Sequence, residues 1–318
     1  MQRQLTFGGG VSPRNTRLRG QSIIEYVLII AVIGLVIVFA GPGVAGAIRN
    51  QFNLVGNTVN SGASAGIEGG GASGGGSTGA DSATVQAAVA KDAKDWTLDE
   101  QKAVAEDIAA KGEASPAYAK AKAAMDAGTK FSVKLTNRIT MEYRIIGINH
   151  DDLADGTGKA GLTFEAINNA IGQQRMNATD TNAGSWEKSE LRGRLNSGDL
   201  WALLPSELQS KAKAVTKMTD NKADCNYGDP SATTDKAFLL SMAEVYGDIY
   251  RGGDQYEYYK SRGVTGSNYS GASSDFGHLT RSVGEFSSTT FDCVASSGYF
   301  GSYAKASGHV CVFPAWCF

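Results

Sequence analysis

Twenty-one consecutive residues, Val27 to Ala47, carry no charged side chain, and one carboxylate, Glu25, stands at their entrance. At about 1.5 Å of rise per residue, a helix of that length is roughly 31 Å long, matching the ~30 Å hydrocarbon core of a bilayer. The run is therefore expected to form one membrane-spanning helix. An ionised carboxylate at a lipid boundary is costly, so Glu25 calls for a cation. The first twenty residues contain Arg3, Arg14, Arg17 and Arg19, no acidic residue, and end in Gly20, whereas only Arg49 follows closely behind the run. That asymmetry predicts a cytoplasmic N-terminus and an extracellular C-terminal part. An ordinary secretory signal has its cleavage site after the apolar stretch. Here the small-residue step, Gly20–Gln21, precedes it. Cleavage there removes the leader, keeps the hydrophobic helix and frees an amine four residues from Glu25.

The rest of the chain is long enough for a sizeable core. Lys and Arg number 30 against 32 Asp and Glu, a formal charge of −2, and no basic stripe stands out. This balance argues against a nucleic-acid partner. Residues 61–80 hold nine glycines among Ser, Ala and Thr and read as a flexible linker. The segment 81–128 is alanine-rich and charged. Thr97-Leu98-Asp99-Glu100 has capping-box spacing, Gly112 offers a stop, Ser115-Pro116 a restart and Gly128 an end, so a helical stalk or hairpin packed on the next domain is expected.

From Lys130 the period changes to two. Phe131, Val133 and Leu135 alternate with polar residues, and Ile139, Met141, Tyr143 and Ile145 do so again, which predicts a β-hairpin. Leu162 to Met176 reads as a helix capped by Thr163, with further helices at 188–196 and 205–216. Short strands are expected at 238–240, 278–283, 291–295 and 310–313. The expected fold class is thus an α+β outer domain, a mixed or antiparallel sheet with several helices, on an N-terminal transmembrane helix. The domain boundaries read 1–20 leader, 21–50 transmembrane helix, 51–80 linker, 81–128 stalk and 130–318 outer domain.

The candidate chemistry is sparse. Cys225, Cys293, Cys311 and Cys317 allow three disulfide pairings; Cys293 with Cys311, leaving Cys225 with Cys317, follows from their neighbouring strand-like runs, against free buried thiols. No Cys-x-x-Cys pattern exists, and His150, His278 and His309 are scattered, so no metal or other cofactor is expected. Asp151, Asp152 and Asp155 precede Gly156 in one loop; clustered carboxylates suit Ca²⁺, although the spacing is not that of an EF-hand and a solvated loop is the commoner reading. Tyr250, Tyr256, Tyr258, Tyr259, Tyr269 and Phe276 lie among Gly, Ser and Asn. Rings with polar rims suit a glycan or protein surface, and Tyr258 and Tyr269 are the candidate contacts. Tyr256 and Tyr259, three apart, are assigned to the core, as is Trp186 with Leu191 and Leu195. Arg192 and Glu190 are candidates for an internal ion pair.

Gly20, then Gln21-Ser22-Ile23-Ile24, then Glu25-Tyr26 resembles the processing site of the type IV pilin class, most closely the small pilins of the tight-adherence (Flp) type. The resemblance implies a prepilin peptidase that cuts after Gly20, other pilin subunits as partners, and Glu25 with Tyr26 as the assembly contact, Glu25 meeting the amine of a neighbouring subunit. Such pilins are short, whereas this chain continues for some 270 residues, which implies a minor subunit displaying a passenger domain. A second likeness covers about 139–318. Ile145-Ile146-Gly147-Ile148-Asn149-His150-Asp151, Trp186-Glu187-Lys188-Ser189-Glu190-Leu191-Arg192, Phe238-Leu239-Leu240-Ser241 with Glu244-Val245, Thr280-Arg281-Ser282 and Val312-Phe313-Pro314-Ala315 resemble a family of uncharacterised domains of bacterial surface proteins. That segment is also distantly similar to C-type-lectin-like and formylglycine-generating-type folds; the latter implies a reactive cysteine pair, for which Cys311 and Cys317 are the candidates.

The resulting expectation is a non-enzymatic, pilin-like surface protein that presents its outer domain for adhesion or pilus assembly, against a glycan- or protein-binding module merely anchored to the membrane. Replacing Gly20 with a bulky residue is expected to leave the chain at full length, resolved from the shortened wild type on a denaturing gel; identical mobility of the two would remove the processing assignment.

Overall fold

A computed structural model describes residues 82–220, 230–247, 252–284 and 287–318. Three helices come first: α1 (Ser82–Val89), α2 (Leu98–Lys111) and α3 (Tyr118–Ala127). The capping box forms at the start of α2, where the Thr97 hydroxyl accepts from the Glu100 amide and the Glu100 carboxylate accepts from the Thr97 amide. Gly112 ends α2 at φ 57° and Gly128 ends α3 at φ 64°, left-handed positions that favour glycine. The helices pack against the strands. Val104 and Ile108 are fully buried, and the Tyr143 hydroxyl donates to Gln101 at 3.1 Å, so helices and strands share one core.

The first sheet contains β1 (Phe131–Lys134), β2 (Thr140–Ile148), β3 (Leu162–Ala166), β12 (Ala315–Cys317) and β7 (Ala237–Phe238), in the order β1-β2-β3-β12-β7. The second runs β10 (Ser302–Lys305), β9 (Thr290–Val294), β8 (His278–Val283), β11 (Val310–Cys311) and β4 (Gln173–Gln174). A ribbon of β5 (Val215–Thr219) and β6 (Ser231–Asp235) completes the strands. Every pairing between these strands is antiparallel except β11 with β8. The short helices α4 (Glu190–Asn196), α5 (Asp199–Leu203), α6 (Ser206–Lys211), α7 (Met242–Tyr246) and α8 (Glu257–Ser261) fill the connections. Phe131, Tyr143, Phe164, Trp316 and Phe318 stack at centroid separations of 5.0–6.1 Å and form the aromatic centre of the first sheet.

Three expectations need correction. The α+β character holds, but among the described residues no helix is long and apolar enough to cross a membrane, which overturns the fold class of a domain on a transmembrane helix. The run 27–47 expected to form that helix, with Gly20, Gln21, Glu25 and Tyr26, lies outside the described residues. The helix expected from Leu162 to Met176 is instead strand β3, irregular chain and the short strand β4. All five β3 residues are buried, because β2 and β12 flank it, and its polar members Thr163 and Glu165 face buried partners rather than solvent. The expected helix over 205–216 ends at Lys211, and Val215 and Thr216 open β5.

Gly161 fixes how α2 sits on the strands. A Cβ there would stand 1.8 Å from the carbonyl oxygen of Ala105 in α2, a backbone atom that cannot rotate away. Gly161→Ala is expected to lower unfolding stability by about 1–3 kcal/mol, the usual range for overpacking, while Gly193→Ala on α4, where nothing lies within 4 Å, leaves it unchanged or slightly raised; urea titration of the two variants checks the contrast.

Candidate functional site

Four charged side chains meet inside the domain. Asp151 lies just beyond β2, Lys217 in the middle of β5, Glu244 in α7 and Arg281 in β8, and each side chain is at most 4% exposed. Lys217 Nζ lies 2.5 Å from Asp151 Oδ1 and 2.5 Å from Glu244 Oε1. Arg281 clamps Glu244 through both terminal nitrogens, one of them at 2.9 Å. Its remaining donors reach the Leu239, Met218 and Gly252 carbonyls and the Thr219 hydroxyl at 2.8–3.0 Å. The Tyr256 hydroxyl lies 2.9 and 3.0 Å from the two Asp151 oxygens and 3.0 Å from Lys217 Nζ, and the Thr163 hydroxyl donates to Asp151 Oδ2 at 2.5 Å. Two anions thus face two cations, and the cluster is formally neutral.

Local sequence explains each placement. Val215 and Thr219 turn inward on β5, and the two-residue period turns Lys217 inward with them. Glu244 is the N3 residue of a capping box with Ser241, whose amide donates to Glu244 Oε2 at 2.9 Å. Tyr256 comes close because Gly147 has no side chain; a Cβ there would stand 2.8 Å from its ring.

The fields are strong because water is excluded. Burial opposes the charged form of Asp151, yet the Lys217 ammonium and then His150 outweigh it and hold the carboxyl far below its usual range. Glu244 is lowered against burial by Arg281 first and Lys217 second. Lys217 is raised against burial by Asp151 and Glu244. Burial, then Asp151, pushes the neighbouring Tyr256 phenol and Cys317 thiol well above their ordinary values, so both stay neutral donors.

Two smaller clusters flank this centre. Arg144 donates to Glu165 at 2.9 Å and to the hydroxyls of Tyr258 and Tyr259 at 2.7 and 3.2 Å. Asp235, fully buried, accepts from Trp186 Nε1 at 2.9 Å, Arg192 Nε at 2.6 Å and the Thr233 hydroxyl at 2.6 Å.

The residues singled out from the sequence are scattered. Asp151, Asp152 and Asp155 do not converge: Asp151 is inside the cluster, Asp152 pairs with Lys159 at 3.2 Å, and Asp155 caps its own turn through Thr157. Among the described residues no group of three His, Cys, Asp or Glu could hold a metal ion. Cys293, Cys311 and Cys317 are free and buried, and Cys225 lies outside the described residues. Strand β8 separates Cys293 on β9 from Cys311 on β11. Two strand spacings of about 4.8 Å exceed the ~7 Å that a disulfide allows between Cα atoms. Cys311 and Cys317 lie in different sheets, and burial raises both thiols, the reverse of an activated pair. Arg192 pairs with Asp235 rather than Glu190. Tyr258 has the Arg144 and Arg262 guanidiniums at 4.0 and 3.6 Å from its ring centroid, so it is a packing residue. Tyr269 is half-buried, 5.4 Å by centroids from Tyr299, which is 44% exposed and 5.2 Å from Phe300. Phe276 and Tyr303 are exposed as well. Lys217 escaped notice in the sequence, although the inward period of β5 marked it.

The cluster sets a pH window. Asp151 and Glu244, with folded values below 3.8 and 4.5, contribute stability that is complete above those unfolded values and is lost as pH falls through the folded ones. Lys217, raised above 10.5, contributes stability that is present below that value and is lost as pH rises through its folded one. With the cluster in its ionic form, thermal unfolding is therefore expected to be flat between about pH 5 and pH 10 and to weaken on both sides. Glu244→Gln, which strands Arg281 and Lys217, is expected to cost about 3–5 kcal/mol at pH 7 and to flatten the acid limb; denaturant melts of the variant at pH 4 and pH 7 check both effects.

Residues 157–318 match the family described as a domain of unknown function, DUF6273, a segment just over half of the 318 residues. It takes in Lys217, Glu244 and Arg281, while Asp151 lies just before it. No curated protein and no solved structure matches the chain. With just over half of its residues matched, and with its second sheet built from them, the chain belongs to the DUF6273 family.

Proposed function

We propose that this chain is a pilin-like surface protein whose folded unit binds glycans, serving adhesion rather than catalysis. One observation carries the binding reading: an aromatic corner in which the exposed Tyr299 ring is backed by the half-buried Tyr269 and Phe300. The turn joining β9 to β10 is held from below, where the buried Tyr246 hydroxyl donates to the Gly298 carbonyl at 2.6 Å. Its backbone also rests on the 269–273 loop, since a Cβ on Gly298 would stand 2.1 Å from the Tyr269 carbonyl. Tyr269, Tyr299 and Phe300 form a contiguous edge-to-face and tilted group on this rigid support, with serines at 267, 270, 273, 274, 296 and 297 around them. Rigid aromatic area with small hydroxyl neighbours suits stacking against sugar rings at low entropic cost.

The buried charged groups favour the same reading. Asp151, Glu244, Glu165 and Asp235 each have a cationic partner within 3.0 Å, a pattern of internal neutralisation rather than of a group poised for a substrate. The surface reading rests on Gly20, Glu25 and Tyr26 and on the uncharged run that follows. It implies a prepilin peptidase, other pilin subunits and lipid as partners.

A glycan array probed with the purified chain tests the corner. Tyr299→Ala is expected to weaken the strongest glycan signal by about tenfold or more, as loss of a stacking hot spot does. Equal binding by wild type and variant, or binding to no glycan at all, removes the proposal.

A further inference from the structure

We propose that Lys217 and Asp151 condense into an intramolecular amide bond, with Glu244 as the proton carrier. The geometry is that of a reacting pair. Lys217 Nζ is 2.5 Å from Asp151 Oδ1, and adding a C–O bond of about 1.2 Å puts the carboxyl carbon no farther than about 3.7 Å from the nitrogen. Near-attack distances are about 3–3.5 Å. Neither partner can swing away. Lys217 Nζ is held by Glu244 Oε1, by the Tyr256 hydroxyl and over the Phe238 ring, 4.4 Å from its centroid. Asp151 is held by Thr163 and Tyr256.

The atoms balance without an oxidant or a co-reactant. Lys217 enters as an ammonium with three protons and Asp151 as a carboxylate. Glu244 Oε1, 2.5 Å away, accepts one proton and leaves a neutral amine whose lone pair attacks the Asp151 carboxyl carbon. The tetrahedral oxygens sit against the Thr163 and Tyr256 hydroxyls. Glu244 returns its proton, a second passes from nitrogen, and the C–Oδ1 bond breaks to release water. The third proton remains as the amide N–H. Arg281 keeps Glu244 ionised at rest, so the proton resides there only in passing.

The driving force lies in the desolvation of the site. Buried ions are costly, and excellent geometry is needed to offset that cost. Condensation abolishes one cation and one anion together and leaves the Arg281–Glu244 pair, which is neutral by itself. The product also finds every hydrogen bond in place: the new N–H faces Glu244 Oε1, and the carbonyl formed from Asp151 Oδ2 already accepts from Thr163 and Tyr256. A hydrated pair on the surface would gain none of this. The cross-link joins residues 66 apart in sequence, tying the loop after β2 to β5. It does not depend on the glycan-binding reading.

The test is mass spectrometry of the purified full chain. Proteolysis of the denatured wild type is expected to release one branched peptide that joins the Asp151 and Lys217 segments and is lighter than their sum by one water. Lys217→Arg, which keeps the positive charge but offers a far weaker nucleophile, is expected to give two linear peptides of full mass and a lower unfolding temperature. Two linear peptides from the wild type overturn the proposal. So does a water loss that persists in Lys217→Arg, because it would then be a cyclisation of Asp151 alone.

Discussion

The interior of this domain depends on charge neutrality among Asp151, Lys217, Glu244 and Arg281. Each belongs to a different part of the fold: the loop after β2, the β5–β6 ribbon, the helix α7 and the second sheet. None can be removed alone without leaving a buried charge unmatched, and such an orphan costs far more than a solvated pair contributes. Arg281 makes the dependence explicit. Its guanidinium reaches backbone carbonyls at Met218, Leu239 and Gly252 as well as Glu244, so one side chain bridges three loop and strand ends that hydrophobic packing alone would leave free to slide.

The same constraint explains which readings of the sequence succeed. Elements defined by local signals are where the sequence puts them: the Thr97–Glu100 capping box, the Gly112 and Gly128 helix ends and the β1–β2 hairpin, with Phe131 opposite Tyr143. Trp186, Leu191 and Leu195 are core, as their spacing indicates. Failures occur where a polar residue faces inward. Thr163, read as a helix cap, and Glu165 share one face of β3 and are buried there because Asp151 and the Arg144–Tyr259 group supply their partners. Asp151 looked like a loop ligand for the same reason: its cation lies 66 residues away, and no local pattern announces it.

The cysteines follow a similar logic. Their even number and spacing invite disulfides, but strand order decides, and β8 inserts between β9 and β11. Strand order is a property of the closed fold, set by pairings such as β3 with β12 between residues about 150 apart. Cys317 gains a different role instead. Its sulfur lies 3.4 Å from both Thr163 Oγ1 and Asp151 Oδ2, a weak neutral donor at the edge of the charge cluster.

The two proposals meet in the path of mechanical load. If the chain is held through its N-terminal part and a glycan is held at the Tyr269–Tyr299 corner, tension runs along the sequence from α1 to the loop before β8. The 66-residue stretch between Asp151 and Lys217 lies wholly inside that path. Unfolded, it could lengthen by roughly 3.4 Å per residue, on the order of 220 Å in all. An ion network resists such extension only while its geometry persists, because separation lets water in and weakens each pair. An amide between the two residues removes the stretch from the load path altogether. A covalent closure at this one buried pair therefore has its greatest effect in a protein that is anchored at one end and pulled at the other.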